Sequence, residues 1–256
     1  MISLPKAHGF HFPKRWPTQL ELATHQARTS KMLALPPPKP TILGAPTIKS
    51  QANTAECFGF AVVQGIHIAL QAEGRPSSLL SPVLPYWAAR RERASSDTDI
   101  ADSGSDPDGM IAACADFGAC AWDEDPFDEA KVNDRPNDTA FLSAQQHRCL
   151  LSPIFATGSM LYPAIQHVIA VERRPVLIAL EVVPAFDNPG ADDVIDDPSG
   201  TSRGLHAQCL YGFNEIGARD ANSWGIGNWT PDGTATLTPR FIAGAVVWAG
   251  SLQVNP

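Results

Sequence analysis

An α+β fold is predicted for this chain of 256 residues, and three observations predict it. The order of elements is the first: helix-like segments fill the first half of the chain and strand-like segments the second. The second is the 23 prolines, about 9% of the chain where about 5% is ordinary. So many prolines exclude an all-helical bundle and call for short elements joined by stiff loops. The third is a composition of 44% hydrophobic and 18% charged residues, which suits a packed core and not a disordered chain. At roughly 150 residues per domain the length allows one or two domains.

Residues 1–48 read as an N-terminal arm. Thr18 to Leu33 can form one short helix. Leu35-Pro36-Pro37-Pro38-Lys39-Pro40 must run extended, because each proline fixes φ and keeps the residue before it out of the helical region. The arm is expected to pack as a strap along the domain surface. Residues 49–256 read as the main domain, helical over about 49–150 and stranded over about 151–256.

Cys57 to Leu70 is the clearest helix. It is apolar nearly all round and so belongs in a core, and Gly74 with Pro76 stops it. Leu79 to Arg93 reads as a second helix with Pro82 in its first turn. An acidic loop follows from Ser95 to Asp108, then a third helix from Gly109 to Phe117. Val176 to Val182 is a buried strand by its β-branched content. A second acidic loop spans Asp187 to Ser199. His206–Phe213, Ala218–Trp224 and Thr234–Leu237 read as strands between Gly and Pro turns. No repeat has solenoid spacing.

The formal net charge is −8. That argues against a generic nucleic-acid binder, which needs clustered Lys and Arg to displace counterions. No stretch approaches the ~20 apolar residues of a membrane span, and the first residues lack the apolar core of a signal peptide. A cytoplasmic protein, or one exported by a route other than Sec, is expected. Five cysteines without paired spacing argue against a disulfide scaffold. Cys114 and Cys209 sit in apolar runs and read as core residues, with a Cys114–Cys120 pairing as a minor option. Of the seven histidines only His8 and His11 are close in sequence, so no metal and no cofactor is expected. His67 reads as a core or lobe-interface residue, and His147 and His167 as surface residues. The acidic stretch Asp187–Asp197 lacks calcium-loop spacing. The two acidic loops together suggest a negative potential that would favour basic substrates.

Cys57 is a different matter. It begins the buried helix, where the helix dipole favours a thiolate and where the first N–H groups have no intrahelical partner. Gln51, six positions earlier, can offer its amide as a second oxyanion donor if the turn folds back. A thiolate nucleophile also needs a base and a group to orient it. His206, at the head of an apolar strand, and Asn222, at the end of another, are the candidates.

Four blocks then match one family in order. Gln51-Ala52-Asn53-Thr54-Ala55-Glu56-Cys57-Phe58-Gly59-Phe60-Ala61 resembles the oxyanion glutamine and nucleophile block of the papain-like cysteine peptidases. Leu80-Ser81-Pro82-Val83-Leu84-Pro85-Tyr86 resembles their "LSPQ…L" segment, and Gly204 to Phe213 their "GGHAV…VGY" strand. Asn222-Ser223-Trp224-Gly225 is identical to their "NSWG". The 149 residues from Cys57 to His206 fall in the range of about 130–150 typical there.

The resemblance implies a two-lobed fold, a helical lobe and an antiparallel β-barrel-like lobe with the active-site cleft between them. It implies Cys57 as nucleophile, His206 as general base and acid, Asn222 holding the imidazole, Trp224 sheltering that bond, and Gln51 with the Cys57 N–H as oxyanion hole. The implied partner is a protein or peptide substrate, cut at peptide or isopeptide bonds through a thioester. An acyltransferase or deamidase with the same triad, or a non-catalytic binding module, are the alternatives. Oligomeric state is not readable. The chain departs from the family in three places. Phe58 replaces the tryptophan after the nucleophile. Glu56 replaces a small residue before it and would raise the thiol pKa if close and desolvated. Thr54 stands where secreted members carry a disulfide cysteine. The arm is also shorter than the family's inhibitory prosegment, so inhibition by that device is not expected.

Overall fold

The computed structural model describes residues 9–12, 36–91, 94 and 100–255. The helix expected at Thr18–Leu33 lies outside them. The described chain is α+β, with seven helices and one eight-stranded sheet.

Helix α1, Cys57–Ala72, is buried on nearly every side. Gly65 lets it approach the sheet closely: a Cβ there would lie 3.0 Å from both Leu177 and Leu252 side chains. Helix α2, Val83–Arg91, starts four residues later than expected. Leu79 and Ser81 are instead tied to the chain at 120–122, with Trp122 N–H donating to Leu79 O and Ser81 N–H to Cys120 O, both at 2.9 Å. Helix α3, Pro107–Asp116, starts two residues earlier than expected because Asp106 caps it, its carboxylate accepting from Gly109 N–H at 2.7 Å, with Pro107 in the first turn. A short α4, Asp138–Ser143, has Asn137 as its cap.

The sheet comprises β1 Thr41–Ile42, β2 Cys149–Pro153, β3 Val176–Glu181, β4 Val194–Ile195, β5 Leu205–Phe213, β6 Ala218–Ala221, β7 Thr234–Leu237 and β8 Val246–Val254. Their order is β2-β8-β3-β5-β6-β7-β4, antiparallel except for β4 on β7, with β1 pairing the end of β5. Helices α5 Leu161–Ala170, α6 Pro184–Asp187 and α7 Pro239–Ala245 complete the chain. Alternate residues of β3 face different cores. Leu177 and Ala179 join α1–α3, whereas Val176, Ile178 and Leu180 join α5 and α7. Coverage on both faces is why this strand reads as an unbroken apolar run.

Several elements escape the sequence pattern. The central strand β8 carries Gly250, Ser251 and Gln253, which break its apolar run. The second acidic loop is not structureless: it contains β4, whose Ile195 is buried, and part of α6. All five cysteines are free and buried, and the neighbour of Cys114 is Cys149 rather than Cys120. His147 is half-buried, with its ring against Ala119 O at 3.1 Å. No described helix is long and apolar enough to cross a membrane.

The tight seat of Gly65 generates a test. Gly65→Val adds two methyl-bearing branches where one Cβ already touches both leucines. It should lower the unfolding free energy by about 1–3 kcal/mol in urea titration. An unchanged midpoint would mean that α1 has slack against the sheet.

Candidate active site

The turn before α1 puts Gln51 beside the cysteine. Ala52 adopts φ +49°, Thr54 Oγ1 donates to Gln51 O at 2.7 Å, and Gln51 Nε2 donates to Thr54 O at 2.8 Å. The turn is anchored from outside by Asp102, whose carboxylate accepts from Ala55 N–H at 2.9 Å and from Tyr86 Oη at 2.7 Å. Tyr86 Oη in turn accepts from Gly104 N–H at 3.0 Å.

Cys57 is the first residue of α1, and the N–H groups of Cys57, Phe58 and Ala207 face its sulfur. Ala207 directly follows His206 on β5, so the helix start and the histidine strand meet at the thiol. His206 Nε2 and Asn222 Oδ1 are 2.9 Å apart, while His206 Nδ1 has no partner among the described residues. The Trp224 ring lies 4.9 Å from the imidazole, and Phe186 packs on both rings. Ser223, between Asn222 and Trp224, donates its hydroxyl to Gln51 Oε1 at 2.6 Å, and Gln51 N–H donates to Ser223 O at 2.8 Å. All five residues singled out from the sequence, Gln51, Cys57, His206, Asn222 and Trp224, therefore meet in one buried place.

The arm meets them too. Residues 9–12 do more than pack on a surface. Phe10 is buried against Phe58 and Trp248, with ring centroids 5.4 and 6.1 Å away. It pairs in parallel with Ser105: Ser105 N–H donates to Gly9 O at 2.8 Å, and His11 N–H donates to Ser105 O at 2.9 Å. Gly9 lies directly over the Cys57 sulfur. A Cβ there would sit 2.7 Å from the Cys57 sulfur and collide with Ala55 O, so only glycine fits. Gly104, at φ +80°, is equally constrained, since a Cβ would stand 2.5 Å from Gly9 O. The short arm thus reaches the cleft that its length was expected to leave open.

Burial dominates the protonation states of the pair. Burial pushes the Cys57 thiol up to about 12, against the pull of the three N–H groups, and the nearby Asp102 adds to the rise. Burial holds His206 down to about 4, although the bond to Asn222 favours its charged form. Between those values both groups are neutral. Glu56 is not among the groups that raise the thiol. Its own carboxyl is buried and held well above the usual range, beside the buried Arg90, which donates to Ala101 O, Asn133 Oδ1 and Val132 O.

The carboxylates of the acidic loops are mostly engaged. Asp106 caps α3, Asp187 pairs with Arg203 at 2.8 Å, and Asp196 and Asp197 pair with Arg240. Among the described residues no group of three His, Cys, Asp or Glu could hold a metal ion.

Residues that the motif reading missed are Gly9, Phe10, Asp102 and Ser223. The last lay inside a quoted motif, and the others had no sequence signal beyond a glycine and an aromatic in a polar arm.

Solved structures similar in fold include several cysteine proteases. The fold is that of the papain-like cysteine proteases. Xylellain, a cysteine protease from Xylella fastidiosa, superposes with a TM-score of 0.76 at 17% identity over 100% of both chains. The Carica candamarcensis cysteine protease CMS1MS2, in complex with E-64, gives 0.59 at 19% identity over 85% of this chain and 98% of that one. Digestive procathepsin L2 from Tenebrio molitor gives 0.62 at 16% identity over 98% and 78%. No family model matches the sequence, and no curated protein does. The papain-like fold is therefore legible here through structure and short motifs while overall identity is low.

The papain-like cleft generates a second test. Phe10→Asp should expel residues 9–12 and rehydrate the site. The thiol pKa should fall, and alkylation of Cys57 by iodoacetamide at pH 6–7 should accelerate by about tenfold or more. A rate unchanged from the parent chain would show that the cover does not control the thiol.

Proposed function

We propose that the chain is a cysteine peptidase that hydrolyses peptide or isopeptide bonds of protein or peptide substrates and is held closed by residues 9–12. The observation that carries this reading is the junction of a helix-initiating cysteine with β5. Cys57 Sγ is ringed by N–H groups next to a histidine whose far nitrogen already rests on Asn222 at 2.9 Å. The likeness in fold to known cysteine proteases supports it.

Once the cover leaves, the Cys57 proton passes to His206 Nδ1, and the imidazolium forms with Asn222 Oδ1 as its acceptor. The thiolate attacks the substrate carbonyl carbon, and the carbonyl oxygen gathers charge opposite the Cys57 N–H and the Gln51 amide. Collapse breaks the C–N bond, with His206 giving its proton to the leaving amine. His206 then takes a proton from water, whose oxygen attacks the thioester and frees the carboxylic acid and the thiol. Trp224 and Phe186 keep water away from the His206–Asn222 bond, which strengthens it.

The test uses the full chain carrying Phe10→Asp, a peptide library and iodoacetamide. Cys57→Ala and His206→Ala should each lower kcat by at least about 10³-fold, and Asn222→Ala by less. His206→Ala should also slow Cys57 alkylation near neutral pH. Labelling of Cys57 that is indifferent to His206, or as slow as a free exposed thiol, would sink the reading.

A further inference from the structure

Behind Asn222 the core holds two polar side chains that the chemistry above does not use. Gln208 and Asp220 are both buried. They stand on neighbouring strands. The β5–β6 register pairs Cys209 with Ala221 and Leu210 with Asp220, so Gln208 falls opposite Asn222, with His206 diagonal to Asn222 and Asp220 diagonal to Gln208. Residues two apart on a strand share a face. His206 and Gln208 therefore interleave with Asn222 and Asp220 in a zigzag across two strands.

The Gln208 amide satisfies both its neighbours in one orientation only. Its nitrogen then donates to Asp220, at 2.9 Å from Oδ1 and closer still to Oδ2, and its oxygen faces the Asn222 amide, accepting from Nδ2 at 3.2 Å and standing 3.0 Å from Oδ1. Asn222 Oδ1 is left to accept from His206 Nε2 and from Ser223 N–H at 2.7 Å. Burial raises the Asp220 carboxyl well above its usual range. The adjacent Arg219 is committed elsewhere, to Tyr211, Thr234 and Thr236. Polar groups this deep cost free energy unless every bond is made. Two apolar residues would fill the space more cheaply, so their presence calls for an explanation at the site they touch.

An asparagine amide supplies that explanation. Its two ends are nearly the same shape, and only its partners decide which faces the histidine. Turned the wrong way, Asn222 would present an N–H to the imidazole N–H and repel it. We propose that Gln208 and Asp220 are positioning residues: a buried hydrogen-bond relay that fixes the Asn222 amide with its oxygen toward His206. Asp220 sets the polarity as an acceptor, Gln208 transmits it, and Asn222 delivers it to the ring. This rests on the reading of Cys57 and His206 as the reacting pair.

The experiment compares three full chains that all carry Phe10→Asp. Asp220→Asn keeps an oxygen for Gln208 Nε2 and should keep kcat within about twofold of the parent. Gln208→Val with Asp220→Val removes the relay and leaves no unpaired partner on either. Its kcat should fall about tenfold with KM nearly unchanged, the size of loss that outer-sphere partners cause at preorganised metal sites. The acid limb of Cys57 alkylation should also move to higher pH, because a poorly oriented Asn222 stabilises the imidazolium less. A core-packing role would change the melting temperature but not that limb. A folded double variant with parental kcat and an unmoved limb overturns the relay while leaving the peptidase reading intact, whereas a parent whose labelling ignores His206 overturns both. If the double variant does not fold, side-chain amide exchange in the unmodified chain decides. Two resolved, slowly exchanging Asn222 Nδ2 protons support the relay, and rapid exchange refutes it.

Discussion

The cleft depends on where the first turn of α1 meets β5. Gly65 lets the helix lie close enough on Leu177 and Leu252 for its N-terminus to reach the backbone of Ala207. That contact brings a sulfur from one half of the chain to a histidine from the other, and it surrounds the sulfur with donors before any substrate arrives. The contact also makes the thiol's environment dry. A helix terminus favours an anion by about 2 kcal/mol at best. Raising a thiol from 9 to about 12 corresponds to about 4 kcal/mol. While the cover is in place burial wins, and the helix end alone cannot ionise the cysteine.

The walls of the cleft are held by a second set of bonds centred on α2. Tyr86 and Arg90, one turn apart, reach into the segments that flank the site. Tyr86 joins Asp102 and Gly104. Arg90 stacks on the Tyr86 ring at 3.8 Å and gathers the carbonyls of Ala101 and Val132. Asp102 closes the circuit on Ala55, two residues before Cys57. The same loop offers Ser105 to the backbone of the arm. One buried cation and one carboxylate thus organise both the turn that presents Cys57 and the edge that binds its cover.

Much of this was legible in the sequence, and the failures have physical causes. The α1 and β3 segments announced themselves because burial on all sides leaves unbroken apolar runs. The Gln51, Cys57, His206 and Asn222 blocks stood out as motifs because the roles proposed for them restrict residue type. The strand β8 was hidden by Gly250 and Ser251, whose places are set by partners β2 and β3 rather than by their own propensity. The place of Gly9 beside the Cys57 sulfur could not be read from the length of the arm, since a few residues suffice to cover one sulfur. Gln208 and Asp220 were visible only as polar letters in apolar strands, and their meaning needed the register that sets them beside Asn222.

The glycine lid over the sulfur has a consequence in oxidation chemistry. Peroxides attack thiolates, and the route from sulfenic to sulfinic acid needs both charge and access. In the covered chain Cys57 has neither, and the other four cysteines are buried as well. On the proposed reading, the covered chain stores the Cys57 thiol in reduced form. On that same reading its shelf life under oxidant would follow how often Phe10 leaves the ring pocket between Phe58 and Trp248, more than the intrinsic reactivity of the thiol.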